Sequence, residues 1–178
     1  MELTEHEGLY QFNYEFDKEL LLTEAKKEEG YEPFVDPLTK KKIHDWMIKH
    51  VDQKDKVLKY YMDTNVHVKD CDTPYAIEIA DHFRKVTGFR CKPRFYNQRA
   101  DFELPFHKDR GTECSINFVL SDDPDPISFL DGNVSYKVGL LNTQVEHAVF
   151  ATKQRYLFKL SFFDNTFDEV KNVLSSKL

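Results

Sequence analysis

The chain has 178 residues, 40% of them hydrophobic and 31% charged, with 15 Phe, 9 Tyr and a net charge of −6. This balance describes a globular chain with an aromatic core, long enough to bury roughly two-thirds of its extended surface without disulfide or metal staples. It excludes a helical bilayer span, since no apolar run nears the roughly 20 residues required, and it disfavours extended nucleic-acid binding, which needs a basic surface. The acidic stretch from Met1 to Glu7 lacks the basic and apolar parts of a secretion signal, so a cytoplasmic location is expected. Cys71, Cys91 and Cys114 form no C-x-x-C pair and read as buried thiols rather than zinc ligands.

Residues 9–20 place an aromatic at every second position (Tyr10, Phe12, Tyr14, Phe16), the period of a strand with one buried face. Glu19 to Glu29 reads as a short charged helix stopped by Gly30, and Glu32-Pro33 and Asp36-Pro37 mark a loop. From Lys41 to Met62 apolar residues recur at helical spacing (Ile43, Trp46, Met47, Val51, Val57, Leu58, Tyr61). Thr73-Pro74 opens a further helix that ends at Gly88, with Ile77, Ile79, Ala80, Phe83 and Val86 as its expected inward face.

After Gly88 the texture changes to short β-rich runs: 90–96, 113–120, 127–130, 134–138, 140–143, 145–151 and 155–163. Asp131-Gly132 is a hairpin signal, because both residues tolerate positive φ. Many short strands with regular turns mean a sandwich or barrel. Thr166 caps a last helix through Phe167, Val170 and Val173. The expected organisation is a single domain over 1–178. It comprises a strand and support helices (1–88), a β core (89–163) and a C-terminal helix (164–178).

The chemistry concentrates in Pro105-Phe106-His107-Lys108-Asp109-Arg110-Gly111. On an extended backbone residues i and i+2 point to the same side, so His107 and Asp109 converge. Two ligands do not hold a transition metal, and His147 offers a third. Two imidazoles and one carboxylate on one face of an octahedral ion are the set used for non-haem Fe(II) and O₂. With 7 His and 31 Asp plus Glu, about one histidine-x-acid triplet arises by chance, and His50-Val51-Asp52 is another, on a helical pattern where i and i+2 face apart. The strand from Arg155 to Phe163 distinguishes the first. Tyr156, Phe158, Leu160 and Phe162 form an apolar face, whereas Arg155, Leu157, Lys159 and Ser161 form the other. A cation facing into a barrel needs a partner, and a carboxylate ligand taken from solvent meets that need.

The order H-x-D, then His147, then R-x-x-x-x-x-[ST]-x-[FY] on the last strand resembles the Fe(II)/2-oxoglutarate-dependent oxygenases. The likeness is nearest to the prolyl-hydroxylase-like branch and its small viral and bacterial members. It covers roughly residues 90–163, supported by Ser115-Ile116-Asn117-Phe118-Val119-Leu120 and Leu140-Leu141-Asn142-Thr143. It implies a mainly β double-stranded β-helix (jelly roll, cupin-like) with buttressing helices and a helical N-terminal half. It also implies Fe(II) on His107, Asp109 and His147, and 2-oxoglutarate as cosubstrate with its distal carboxylate on Arg155. Asn117 and Tyr96 are candidate second contacts to the cosubstrate. Lys159 stands where such relatives often carry a small hydroxyl residue, so it either assists or replaces Arg155. The turn from His147 to Arg155 is a little shorter than usual. Retention of Asp109 favours hydroxylation over halogenation.

The implied reaction consumes O₂ and 2-oxoglutarate, hydroxylates a C–H bond of a protein, peptide or amino-acid substrate (proline-type favoured), and releases succinate and CO₂. The acidic segment 121–126 is a candidate substrate-capture loop. Two alternatives remain open, a cupin-type metalloenzyme without 2-oxoglutarate and a non-catalytic jelly-roll interaction module. A base-demethylating relative is disfavoured by the acidic balance, despite Arg90, Lys92, Arg94 and Arg99.

Overall fold

A computed structural model describes residues 6–27, 29–33, 66–100, 102–109 and 111–178. The expected helix over 41–62, His50 included, lies outside these residues. In chain order the described elements are β1 (Leu9–Gln11), α1 (Lys18–Lys26), β2 (Glu32–Pro33), β3 (Val66–Asp70), α2 (Pro74–Thr87), β4 (Lys92–Gln98), β5 (Phe102–His107) and β6 (Cys114–Val119). There follow β7 (Ile127–Phe129), β8 (Gly132–Val134), β9 (Val138–Asn142), β10 (His147–Ala151), β11 (Arg155–Phe162) and α3 (Phe167–Lys177).

The strands form two antiparallel sheets, β1-β9-β6-β11-β4-β3-β2 and β5-β10-β7-β8. From β4 to β11 successive strands alternate between the sheets except at the β7–β8 hairpin, which gives a double-stranded β-helix. On β11, Phe158, Leu160 and Phe162 face a core shared with the helices, together with Phe83, Phe95, Ile116 and Phe118. Leu157 faces the interior between the sheets, with Val119, Leu141, Val149 and Tyr96. The alternation read along 155–163 therefore divides helix-facing from interior-facing residues as expected.

Several expectations need correction. The strand expected over 9–20 stops at Gln11, which pairs with Gly139 near the start of β9. Phe12, Tyr14 and Phe16 still pack on the helix-side core without strand pairing. In α2 the buried stripe is Ala76, Ile79, Ala80, Phe83 and Thr87, while Ile77 is exposed, because a turn of 3.6 residues puts 77 off that stripe. The runs 134–138 and 140–143 are divided differently, with β8 ending at Val134 and a single strand β9 spanning 138–142. The hairpin turn is Leu130-Asp131, with Gly132 already paired to Phe129. Cys91 and Cys114 are buried and Cys71 is half-buried, all free. Burial pushes the Cys91 thiol up to about 11 and the Cys114 thiol to about 12.

Thr73 precedes α2 as expected, but its hydroxyl makes no cap and instead donates to Glu24 Oε2 at 2.6 Å. The Glu24 carboxylate accepts the first helical amides in its place, Tyr75 N and Ala76 N, each at 3.2 Å. Lys69 answers at the end of α1, where its ammonium donates to the carbonyls of Glu24 and Lys27 at 2.9 and 2.7 Å. α3 carries the expected Thr166 cap, completed by Glu169 as a capping box. Among the described residues no helix is long and apolar enough to cross a membrane.

Because Glu24 is buried and satisfies three donors, Glu24→Ala should lower unfolding free energy by about 1.5–3 kcal/mol, read by urea denaturation. Glu24→Gln, which keeps one acceptor oxygen, should lose less.

Candidate metal centre

His107 ends β5 and His147 opens β10, and the two are directly paired across the ladder. The register slips by one residue between this pair and the next, Leu104 with Val149. Pro105, which has no amide hydrogen to give a ladder, falls in the irregular stretch. The slip keeps Leu104 in the interior cluster and lets His107 face His147, with ring centroids 4.4 Å apart.

Asp109 lies beyond the strand, so its position depends on other contacts. Its amide donates to the Thr143 carbonyl at 2.9 Å, and its carbonyl accepts from Gln144 Nε2 at 3.1 Å. Gln144 also donates to Thr112 O at 2.7 Å, as does the Thr143 hydroxyl. Gly111, at φ +79°, lets the chain turn back between these anchors. The turn that holds Asp109 is the one that leads into His147.

His107 Nε2 is 3.2 Å and His147 Nε2 3.8 Å from Asp109 Oδ1, and one donor atom from each residue lies within 4.8 Å of the others. Metal bonds of about 2.0–2.2 Å place adjacent octahedral donors about 3 Å apart, so the spacing fits a single ion. His147 Nδ1 is 2.8 Å from the Val145 carbonyl. A carbonyl only accepts, so Nδ1 carries the hydrogen and Nε2 is left as a ligand. Burial lowers the His147 pKa, against the opposing pull of Asp109, and favours the neutral imidazole that metal binding requires. Burial works against ionisation of Asp109, but the hydrogen bond from His107 and the charge of Lys159 lead the effects that outweigh it and hold the carboxyl below its usual range. The His147 side chain is 5% exposed, whereas His107 and Asp109 are 27% and 29% exposed, so the triad is open on one side.

The remaining predicted residues line the interior of the larger sheet. Asn117 is buried, accepts from Ser115 Oγ at 2.8 Å and donates to the Tyr136 hydroxyl at 3.2 Å. Arg155 is 3% exposed, yet its contacts are weak, 3.5 Å to Gln98 Oε1 and 3.5 Å to the Tyr136 hydroxyl, and its Nε has no partner among the described residues. Lys159 Nζ lies over the Tyr96 ring, 4.7 Å from its centroid. Burial lowers the Lys159 pKa, partly offset by Asp109 and reinforced by Arg155.

Tyr136, Gln98 and Gln144 were missed. Each is an ordinary polar residue in a turn or at a strand end, without a motif to single it out. The segment 121–126 follows β6 at the end opposite the triad, where Lys18, Lys153 and Thr152 engage its acids. The expected capture loop is therefore at the wrong end.

No known family model matches the chain, and neither does any curated protein. Partial likenesses exist among solved structures. Salicylate 1,2-dioxygenase from Pseudaminobacter salicylatoxidans matches 48% of this chain at 16% identity with a TM-score of 0.35, and the match spans 23% of that protein's length. An RmlC-like cupin protein from Desulfovibrio desulfuricans matches 41% of this chain and 72% of its own at 17% identity, with a TM-score of 0.34. Likenesses this slight add nothing on function, and the jelly roll stands on the strand order itself.

Gln144→Ala should free the Asp109 loop while leaving all three ligands in place. Affinity for Fe(II) or Co(II), measured by titration, should fall about tenfold or more. His82→Ala, at an exposed histidine outside the triad, should leave it unchanged.

Proposed function

We propose that this chain is an Fe(II)- and 2-oxoglutarate-dependent dioxygenase that hydroxylates a C–H bond of a protein residue or amino acid, with a proline-type substrate favoured. The supporting observation is the coexistence, on one barrel interior, of a two-histidine, one-carboxylate donor set and a buried guanidinium that lacks a carboxylate partner among the described residues. A histidine–aspartate cluster alone is compatible with structural ion pairing, and a buried arginine alone with a polar core. An acid that chelates a metal at one end and carries a carboxylate at the other accounts for both.

The residues fit these groups. His107, Asp109 and His147 would hold the iron, and Arg155 would take the distal carboxylate of 2-oxoglutarate as a bidentate partner. Bound together, iron and 2-oxoglutarate supply an oxidant from O₂, with release of succinate and CO₂. The chain's own part is positional. Val145 fixes the His147 tautomer, and the 142–145 turn fixes Asp109. The Tyr136 hydroxyl links Asn117 to the guanidinium and orients both. Val119, Leu141, Val149 and Leu157 line the interior with hydrocarbon that limits water. The exposed side of His107 and Asp109 leaves room for a substrate C–H bond to approach.

Anaerobic protein with Fe(II) should gain a visible metal-to-ligand charge-transfer band on adding 2-oxoglutarate. His107→Ala should abolish the band, while Arg155→Ala should raise the 2-oxoglutarate concentration needed by about tenfold or more and leave iron affinity largely intact. Iron binding without a band would replace this reading with a cupin-type metalloenzyme, and absence of iron binding would leave an interaction module.

A further inference from the structure

The row of side chains that contains His147 continues beyond the triad. Directly paired residues of an antiparallel ladder share a face, so His107, His147 and Phe129 stand side by side on the inner face of the smaller sheet. His107 flanks the His147 imidazole on one side, with centroids 4.4 Å apart, and the Phe129 strand flanks it on the other. Phe129 pairs on its far side with Gly132, which has no side chain to support the ring. The ring of His6 supplies that support, stacked on Phe129 at 4.0 Å with 23° between the planes.

Both nitrogens of His6 are committed. Gly8 N donates to Nδ1 at 3.0 Å, so the ring hydrogen is on Nε2, which donates to Asp131 Oδ1 at 2.8 Å. Asp131 lies in the β7–β8 turn, so the ring is fixed both to the segment entering β1 and to the hairpin that carries Phe129. With both nitrogens bonded it offers no free ligand atom of its own. A Cβ on Gly8 would stand 2.3 Å from the Phe129 ring, and the Gly8 carbonyl accepts from Asn142 N at 2.9 Å. Asn142 begins the turn that holds Asp109 and leads into His147. Because β1 belongs to the larger sheet and the β7–β8 hairpin to the smaller, His6 and Gly8 tie the sheets together beside the row that holds His147.

We propose that His6 is a positioning residue for the metal centre. Its ring, clamped by Asp131 and Gly8, holds Phe129 and through it sets where His147 stands relative to His107 and Asp109. A donor set whose support loosens spreads, and it loses metal affinity before it loses the fold. The proposal rests on the reading of the triad as a donor set and is independent of 2-oxoglutarate.

His6→Ala removes the ring and both of its bonds, whereas His6→Phe restores the stack alone. In metal-free protein, long-range proton–nitrogen NMR reads the imidazoles, with the His147 signals assigned by their loss in His147→Ala. His6→Ala should shift or broaden these signals, and His6→Phe should return them toward the parent. Gly8→Ala, which keeps His6 but drives a Cβ into the Phe129 ring, should disturb them as well. Co(II) affinity, measured by titration, should fall about tenfold in His6→Ala and stay within about threefold of the parent in His6→Phe. Thr166→Ala removes the cap of α3, which packs on the helix-side core, and so lowers stability without touching the smaller sheet. It should leave both readouts at parental values.

Near-ultraviolet circular dichroism checks that His6→Ala is folded, and Asp131→Ala, which frees the ring from the hairpin, takes its place if it is not. Parental Co(II) affinity in the folded variant overturns the proposal, as does an equal loss in Thr166→Ala, which would trace the effect to stability alone. A loss that His6→Phe does not restore overturns the route through Phe129. If the parent binds no Co(II), the metal centre falls; His147 signals that move in His6→Ala then uphold the positioning role, and unmoved ones overturn it. Co(II) binding with this dependence, but no charge-transfer band with Fe(II) and 2-oxoglutarate, keeps the positioning role and removes the dioxygenase.

Discussion

The candidate centre depends on holding a carboxylate from an irregular loop between two imidazoles that belong to strands. Strand pairing alone positions His107 and His147, but nothing in a ladder reaches Asp109. The turn at 142–145 does so, through the Thr143 carbonyl and the Gln144 amide, and then delivers His147 with its tautomer set by Val145. One short turn thereby governs two of the three donors. Two further hydrogen bonds, from the Thr143 hydroxyl and Gln144 Nε2 to Thr112 O, tie it to the residues entering β6.

The wall behind the site is stiff because β11 separates two different environments. On its helix side Phe158 packs with Phe95 and Phe118, at ring distances of 5.4 and 5.3 Å, and Phe118 in turn meets Phe83 of α2. On its inner side the same strand presents Arg155 and Lys159. A densely packed aromatic layer resists the shifts that would let these cations relax toward water, so their charge stays directed into the interior. The helices are themselves joined by Glu24 and Lys69, which exchange capping duties between α1, α2 and β3.

The N-terminal strand adds a clasp at the triad end. His6 stacks on Phe129 with centroids 4.0 Å apart and pairs with Asp131 at 2.8 Å, while Phe129 is the ladder partner of His147. Gly8 makes this approach feasible, since a Cβ there would stand 2.3 Å from the Phe129 ring. The first described residues therefore bear on the strand that carries a candidate ligand.

The chain pattern by itself determined what local chemistry determines. Period-two alternation separated the two faces of β11 and β6, Thr166 and Gly88 bounded their helices, and the H-x-D triplet marked two donors that share a side. It did not reveal β5 as a strand, because Pro105 and the slipped register interrupt its alternation, nor β3, whose pairing is with a distant partner. It misplaced the 121–126 loop, because which end of a barrel a loop occupies follows from strand direction rather than composition. It also overlooked Glu24, Tyr136 and Gln144, polar residues whose roles come from neighbours 19 to 52 positions away. Alternation and capping act over a few residues and can be read along a line. The meeting of His107, Asp109 and His147, and of Arg155 and Asn117 at the Tyr136 hydroxyl, was decided only when the sheets closed and long-range pairing fixed who faced whom.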